Sequence, residues 1–238
     1  MLRHLSALFG ALALLALAAG PAHARTTPVQ LGGAINDDGF VQTNDARYRA
    51  TLAGYDAVVA ESAFKIGETE PGEGAFSFDL PDQMVSWAAG EGLQVHGHTL
   101  LWCDDAWLPT WLTSRSWTAA ELTPVVDDYI TTVMHHFGTA VSSWDVVNEA
   151  FNADGTPRDC LWSRVLGPGW VEHAFRVAHD AVPSALLFYN EYRADWVNAK
   201  FTAMEDVARD FLARGVPIDG IGLQLHLFGR APPQYRIE

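Results

Sequence analysis

The chain has 238 residues, of which 49% are hydrophobic and 18% are charged, and its formal net charge is −14. This composition is typical of a globular protein with a large apolar core. The acidic excess argues against nucleic acid or an anionic membrane as a partner and fits a neutral ligand. We expect a monomer that needs neither a cofactor nor a metal.

The first 24 residues predict a secretory signal peptide. Arg3 precedes an apolar run over 11–19, and Ala22-His23-Ala24 has the small-x-small pattern of a cleavage site. The run is too short to span a membrane. We therefore expect residues 25–238 to form one secreted domain. Cys103 and Cys160 could pair outside the cytoplasm, but their positions in the sequence do not decide whether they do.

Short buried strands alternate with amphipathic helices along the rest of the chain. The predicted strands cover 31–35, 57–60, 93–102, 144–149, 186–191 and part of 218–225. Apolar stripes predict the helices, beginning with Tyr48, Leu52 and Tyr55, then Leu80, Met84, Trp87 and Ala88, then Val126, Tyr129, Ile130, Val133, Met134 and Phe137, then Trp170, Ala174, Val177 and Ala181, and last Val197, Phe201, Met204, Ala208 and Phe211.

Three residues are predicted to set helix ends. We expect Gly90 to stop the second helix and Gly215 to end the fifth, because glycine accepts the backbone conformation that closes a helix. Thr123 is expected to cap the third helix, with Pro124 in its first turn.

The alternation indicates a parallel sheet with right-handed crossovers, which a doubly wound sheet or a (β/α)8 barrel would satisfy. No glycine-rich phosphate loop follows the first strand. Polar groups end strand after strand: Asn36, Glu61, His98, Asn148, Glu149, Asn190, Glu191, Gln224 and His226. Because a barrel gathers strand ends into one ring, we predict an α/β fold, a (β/α)8 TIM barrel that is incomplete here, with about six strands.

Within this ring, Glu149 is a candidate for proton transfer. It lies where the buried strand Trp144–Glu149 opens into a polar loop, a place that suits a general acid, although a structural Glu in a salt bridge would have the same pattern. Two carboxyls flanking one bond are the requirement of glycoside hydrolysis. Three tryptophans near the ring suit the flat faces of sugars: Trp102, Trp107 and Trp111.

A metal site is the alternative chemistry for the same ring. His96 and His98 could share one face of their strand, and His226, Glu149 and Glu191 are further possible ligands. No His-x-x-x-His or Cys-x-x-Cys pair supports a metal. His98 by itself is also compatible with a histidine that simply bonds a backbone carbonyl.

Five motifs follow one another between about residue 31 and residue 228. They are Glu61-Ser62-Ala63-Phe64-Lys65 with Thr69-Glu70-Pro71, Gly97-His98-Thr99-Leu100-Leu101-Trp102 with Pro109-x-Trp111, Trp144-Asp145-Val146-Val147-Asn148-Glu149-Ala150, Tyr189-Asn190-Glu191-Tyr192, and Gly220-Ile221-Gly222-Leu223-Gln224-Leu225-His226-Leu227. In this order they resemble the motifs of glycoside hydrolase family 10 endo-β-1,4-xylanases. The resemblance implies a TIM barrel, a retaining mechanism with two glutamates, and xylan or xylo-oligosaccharide as the substrate.

The resemblance also implies roles for residues around the cleaved bond. Glu149 corresponds to the acid/base, and Asn148 corresponds to the neighbour that bonds the sugar 2-hydroxyl. Gln224 and His226 match the pair that positions the nucleophile.

Other matching residues correspond to sugar contacts. Glu61 and Lys65 resemble contacts on the glycone side, and His98 and Trp102 correspond to residues lining the subsite next to the cleaved bond. Ser62 stands where the family usually has Asn, and Cys103 stands where His is common, so the substrate preference remains open.

The family's nucleophile lies on the seventh strand, in a motif like Thr-Glu-Leu-Asp. Too few residues follow His226 for another parallel crossover, so Glu238 is a poor candidate, and Glu191 matches a supporting position. The sequence therefore predicts that the nucleophile and the last two strand-helix units lie outside the 238 residues, and that this chain alone is weakly active or inactive.

Two other functions stay open from the sequence. The chain could be a non-catalytic xylan-binding remnant, although a binder does not need an acid at Glu149. It could also be a barrel glycosidase that acts on β-glucan, because Ser62 could alter the preference for the sugar.

Overall fold

The computed structural model describes residues 29–41 and 46–226. The predicted signal peptide and Glu238 lie outside these residues. The six strands are β1 (Gly32–Ile35), β2 (Ala57–Ala60), β3 (Gln94–Trp102), β4 (Ser143–Asn148), β5 (Leu186–Glu191) and β6 (Gly220–Leu223). The helices of the described residues are α1 (Asp37–Val41), α2 (Ala46–Leu52), α3 (Ile66–Thr69), α4 (Asp79–Glu91), α5 (Thr110–Thr113), α6 (Ala119–Phe137), α7 (Leu161–Leu166), α8 (Trp170–Ala181) and α9 (Ala199–Arg214). In the part of the chain described here, no helix is long and apolar enough to cross a membrane.

All six strands are parallel and lie in sequence order, β1-β2-β3-β4-β5-β6, in one sheet. A doubly wound sheet would reverse the strand order at a switch point, whereas a barrel adds each strand beside the preceding one. The sheet curls into part of a barrel. The prediction of an incomplete (β/α)8 barrel is therefore confirmed, and the doubly wound alternative is excluded.

Two of the predicted helix ends are wrong, for local reasons. Gly90 lies inside α4, which ends instead at Gly92, whose φ of 73° is the left-handed conformation that glycine accepts without strain. Helix α6 begins at Ala119 because Thr118 and Glu121 form a reciprocal capping box, so Pro124 lies inside the helix. The predicted end of α9 at Gly215 is confirmed.

The first strand is less buried than the sequence indicated. In β1 exposed and buried residues alternate, and Leu31, just before it, is 65% exposed. The physical reason is that successive residues of a strand point to opposite faces of the sheet: Ala34 lines an open cavity, whereas Gly33 on the other face lies against Leu52 and Tyr55. Two stripe residues also fall outside their helices, since Tyr55 follows α2 and Val197 precedes α9.

The core lies between the sheet and the helices around it. The apolar stripe of α6 is fully buried as predicted, from Val126 to Phe137. Trp144 of β4 is also fully buried, and its ring meets Phe64 edge-on at a centroid distance of 5.5 Å. Cys103 and Cys160, whose pairing was left open, form a disulfide with a Cα–Cα distance of 5.4 Å.

Glu70, just after α3, is a buried carboxyl whose ionisation should oppose folding. The residue is 3% exposed and Oε1 accepts a 2.8 Å bond from the Gly74 N–H, but Oε2 has no partner among the described residues. Burial raises the pKa of Glu70 to about 7. Between pH 4.5 and about 7 the folded protein keeps this proton while the unfolded chain has released it, so the free energy of unfolding falls as pH rises through this window.

Glu70→Gln should therefore stabilise the protein at pH 8, by about 2 kcal/mol, and change its stability little near pH 4. Gln keeps the acceptor for Gly74 without the charge. Urea unfolding at both pH values measures the difference, with Glu91→Gln at the exposed end of α4 as the control. An equal effect of Glu70→Gln at both pH values would contradict the ionisation argument.

Candidate active site

An open cavity of about 370 Å³ lies along the strands and the segments that directly follow them. Four of the predicted site residues line it: Glu61, His98, Gln224 and His226. Asp145, His96 and Asn190 complete the polar part of the wall. These residues belong to five successive strands or to the segments just after them, as expected for the inside of a barrel. The other predicted site residues do not line this cavity: Lys65, Trp102, Asn148 and Glu149.

Glu149 directly follows β4 and has a constrained backbone conformation. Its φ of 59° lies in the left-handed region, which a residue with a side chain adopts at a cost of roughly 1–3 kcal/mol and which is frequent at functional sites. Its backbone N–H donates to the Asn190 carbonyl at 2.9 Å. The side chain is 12% exposed, and each carboxyl oxygen receives one hydrogen bond, from Gln224 to Oε1 at 3.0 Å and from Arg158 to Oε2 at 3.3 Å.

Asn148 is held by two side-chain amides. Asn190 donates to Asn148 Oδ1 at 2.9 Å, and Gln224 donates to the same oxygen at 3.1 Å. Because Oδ1 accepts both bonds, Nδ2 is the end of the Asn148 amide that can donate to a ligand. Gln224 also accepts at Oε1 from His226 at 2.8 Å. Gln224 therefore links His226 to Asn148 and Glu149.

His98 bonds a carboxylate rather than a backbone carbonyl. Its Nδ1 is 2.8 Å from Asp145 Oδ2, and His96 Nε2 lies 3.1 Å from the same oxygen. Burial opposes ionisation of Asp145, but the hydrogen bonds from the two histidines outweigh it and hold the pKa of Asp145 below its usual value. The peptide bond between His98 and Thr99 is cis. The orientation of the His98 ring is thus fixed by a buried side chain on the neighbouring strand.

The predicted sugar contacts form two small groups. Glu61 accepts a 2.7 Å bond from Asn36, at the end of the neighbouring strand. The Lys65 ammonium lies 4.8 Å from the ring centre of Trp102, and Trp102 stacks on Trp107 with a centroid distance of 5.3 Å. Burial lowers the pKa of Lys65 despite the carboxylates near it. A flat aromatic surface beside a cation and a carboxylate is a suitable contact for a polyhydroxylated ring.

Glu191 has a structural environment. The side chain is fully buried and pairs with the equally buried Lys200 at 2.7 Å, while its other oxygen accepts from the Phe151 N–H at 2.9 Å. Burial raises the pKa of Glu191, and the Lys200 ammonium and the Phe151 N–H oppose this rise. A carboxylate without access to solvent cannot attack a bound sugar, so Glu191 supports the loop after β4 instead.

Within residues 29–41 and 46–226, no group of three or more His, Cys, Asp or Glu side chains is arranged to hold a metal ion. His96 and His98 do share a face of β3, but both turn to Asp145.

Sequence reasoning missed the partners of the predicted residues. Asp145 was read only as part of a strand, and Arg158 and Asp104 were not considered, although all three are polar residues within ten positions of a candidate. Arg158 lies between two carboxylates, 2.8 Å from Asp104 and 3.3 Å from Glu149. Burial disfavours its charge, but Asp104 outweighs burial and raises the pKa of Arg158.

Comparison with known proteins gives consistent results. The sequence profile described as "Glycosyl hydrolase family 10" matches residues 22–238. The chain is similar to endo-1,4-beta-xylanase B of Thermotoga neapolitana, with 40% identity over 157 residues that cover 66% of this chain and 45% of the relative. It is 36% identical to endo-1,4-beta-xylanase C of Phanerodontia chrysosporium over 189 residues, which cover 78% of this chain and 47% of the relative.

The fold is also similar to solved structures. Xylanase 10B from Thermotoga petrophila RKU-1, crystallised in complex with xylobiose, superposes with a TM-score of 0.80 and 35% identity over 83% of this chain and 60% of that chain. The chain spans about half the length of the curated relatives it matches. The family profile covers most of the sequence, and the strand order and the motifs agree with it. The chain belongs to glycosyl hydrolase family 10.

Proposed function

We propose that this protein is a secreted xylanase-type glycoside hydrolase that cleaves internal β-1,4 bonds of xylan with retention, and that Glu149 is its acid/base. The observation that carries the proposal is the Glu149 carboxyl at the mouth of the ring, with a donor on each oxygen and Asn148 beside it. Similarity to xylanases from bacteria and fungi supports the substrate, and one similar structure is described in complex with xylobiose.

In the proposed mechanism Glu149 first acts as an acid. It protonates the oxygen of the leaving sugar while a nucleophilic carboxylate forms a covalent glycosyl intermediate. Glu149 then acts as a base and takes a proton from the water that releases the sugar. Asn148 Nδ2 would donate to the sugar 2-hydroxyl, a bond that strengthens in the transition state. We assign the nucleophile to no described residue.

Two proteins are needed for a decisive assay. One is the 238-residue chain. The other is this chain extended by the part of the Thermotoga petrophila xylanase 10B barrel that lies C-terminal to the matched region. Release of reducing sugar from xylan by either protein supports the proposal. Binding of xylan by both without cleavage would instead support the xylan-binding function, and cleavage of cellulose or mixed-linkage glucan in preference to xylan would support a β-glucan glycosidase.

In whichever of these two proteins cleaves xylan, Glu149→Gln should lower kcat/KM for xylotetraose by about 10²–10⁴-fold, because the amide cannot donate the proton. Binding of xylotetraose, measured by calorimetry, should change little. Glu205→Gln on the outer face of α9 is the matched control and should leave both quantities unchanged. Full activity of Glu149→Gln on xylotetraose would rule out Glu149 as the acid.

Secretion is part of the proposal and rests on the first 24 residues. Expression of the 238-residue sequence, with residues 1–24 retained, in a bacterial host should yield an extracellular or periplasmic protein, and N-terminal sequencing should find Arg25 as the first residue. A protein that retains Met1 and stays in the cytoplasm would contradict it.

A further inference from the structure

Arg158 connects the segments that follow β3 and β4. Its Nη2 donates to Asp104 Oδ2 at 2.8 Å, and its Nη1 donates to Glu149 Oε2 at 3.3 Å. The side chain is only 25% exposed, so water competes weakly for these bonds. Asp104 is itself fixed, because its other oxygen accepts from the Ala106 N–H at 3.2 Å. The position of the Arg158 guanidinium therefore depends on Asp104, which lies outside the loop that begins at Glu149.

A covalent bond fixes the same two segments. Cys103 directly precedes Asp104, Cys160 lies two residues after Arg158, and the two cysteines form the disulfide. Both are buried, with 0% and 1% of their surfaces exposed. The Arg158 N–H also donates to the Ala150 carbonyl at 2.7 Å. The disulfide, the Asp104–Arg158 pair and this backbone bond together restrain the loop from 149 to 160, and we name this set the loop clamp.

The loop clamp has a direct consequence for the Glu149 carboxyl. Gln224 donates to Oε1 and Arg158 donates to Oε2, so the two oxygens are held from different parts of the barrel. Two donors on the two oxygens fix the plane of a carboxyl group. The direction in which it can deliver a proton is then also fixed. A displacement of about 1 Å at a reacting group can cost about 100-fold in rate.

We propose that Arg158 is a positioning residue that orients the Glu149 carboxyl for proton transfer, and that the Cys103–Cys160 disulfide keeps Arg158 in place. This inference rests on the proposed role of Glu149. It predicts that substitution of Arg158 lowers kcat/KM most for substrates whose leaving group must be protonated. A leaving group that departs as a stable anion needs little acid assistance, whereas a sugar alkoxide needs protonation.

The first experiment compares two substrates in the form of the protein that hydrolyses them. Arg158→Met should lower kcat/KM about 10- to 100-fold for xylotetraose but less than about 3-fold for 2,4-dinitrophenyl β-xylobioside. Arg158→Lys should restore part of the loss. Arg164→Met is the control, because Arg164 lies on α7 and pairs with Asp105 and Asp159 rather than with Glu149. An equal loss on both substrates would show a merely structural role and overturn the proposal.

The second experiment does not depend on activity and uses the 238-residue chain. Amide hydrogen exchange is measured over 150–158 in the oxidised protein, after reduction by a dithiol, and in the double variant Cys103→Ala/Cys160→Ala. Loss of the disulfide should speed exchange in this loop at least about 10-fold, with little change in the core of α6. Unchanged exchange in the loop would overturn the role of the disulfide. If neither protein form cleaves any substrate, the proposed function is wrong. If the loop stays protected from exchange without the disulfide, the proposed role of the loop clamp is wrong, whatever the activity assay shows.

Discussion

Lys200→Met should lower the free energy of unfolding by about 3–5 kcal/mol, because it leaves the Glu191 carboxylate buried without its counter-ion. Glu191 is 0% exposed and Lys200 is 1% exposed, and their charged atoms are 2.7 Å apart. The Lys200 ammonium also lies 3.7 Å from the ring centre of Tyr192. Glu191 also accepts a hydrogen bond from the Phe151 N–H, in the loop just after Glu149, so we expect the variant to loosen this loop as well.

The loss of stability in Lys200→Met should increase with pH. Burial already raises the pKa of Glu191, and removal of Lys200 raises it further. The folded variant then keeps a proton that the unfolded chain releases, so its stability falls as pH rises above the ordinary range of a Glu. Urea unfolding of the variant should therefore show a smaller loss at pH 5 than at pH 8.

Two further variants separate charge burial from general damage. Lys200→Met/Glu191→Gln should recover most of the lost stability, because no unpaired charge remains and the amide oxygen can still accept from Phe151. Arg209→Met removes the exposed partner of Glu205 on the same helix and should cost about 0.5 kcal/mol or less. A Lys200→Met variant that is as stable as Arg209→Met would contradict the buried-pair interpretation.

Gly97→Ala should cost about 3 kcal/mol or prevent folding, because β3 passes directly over a tryptophan ring. A Cβ at position 97 would lie 2.2 Å from Trp144 Cε3. The ring cannot withdraw, since Trp144 is fully buried and has the rings of Phe64 and Phe137 at 5.5 and 6.1 Å. Denaturant unfolding gives the loss, and near-ultraviolet circular dichroism reports the displaced tryptophan.

Gly90→Ala is the matched control for this substitution. Gly90 lies in the exposed part of α4, and a Cβ there would meet no atom within 4 Å. Because alanine loses less backbone entropy than glycine in a helix, this variant should gain about 0.5–1 kcal/mol. If Gly97→Ala were as stable as Gly90→Ala, the contact between β3 and Trp144 would not be as close as described here.

Helix boundaries show how a local signal can be misread in the sequence. Thr123-Pro124 has the pattern of a helix start, but the reciprocal pair Thr118 and Glu121 lies five residues earlier and forms the cap. Both patterns are present in the sequence. The capping box prevails because its two hydrogen bonds satisfy two backbone groups, and Pro124 is accommodated inside α6.

The sequence by itself determined the barrel fold and most of the polar residues at the C-terminal ends of its strands. Short apolar runs for the strands and stripes of period 3.6 for the helices follow from side-chain hydrophobicity, and parallel strands added in order bring their C-terminal ends to one side. For this reason Glu61, His98, Glu149, Gln224 and His226 could be named as ring residues before any contact was known.

Only the tertiary structure decided the partners of these residues. Gln224 meets Glu149 from 75 positions away, Asp104 meets Arg158 from 54, and Cys103 meets Cys160 from 57. Such pairs depend on loop paths and rotamers to within about 1 Å, and the periodicity of the sequence carries no information at that scale. The orientation of the Glu149 carboxyl group is therefore set by tertiary contacts between segments that are far apart in the sequence.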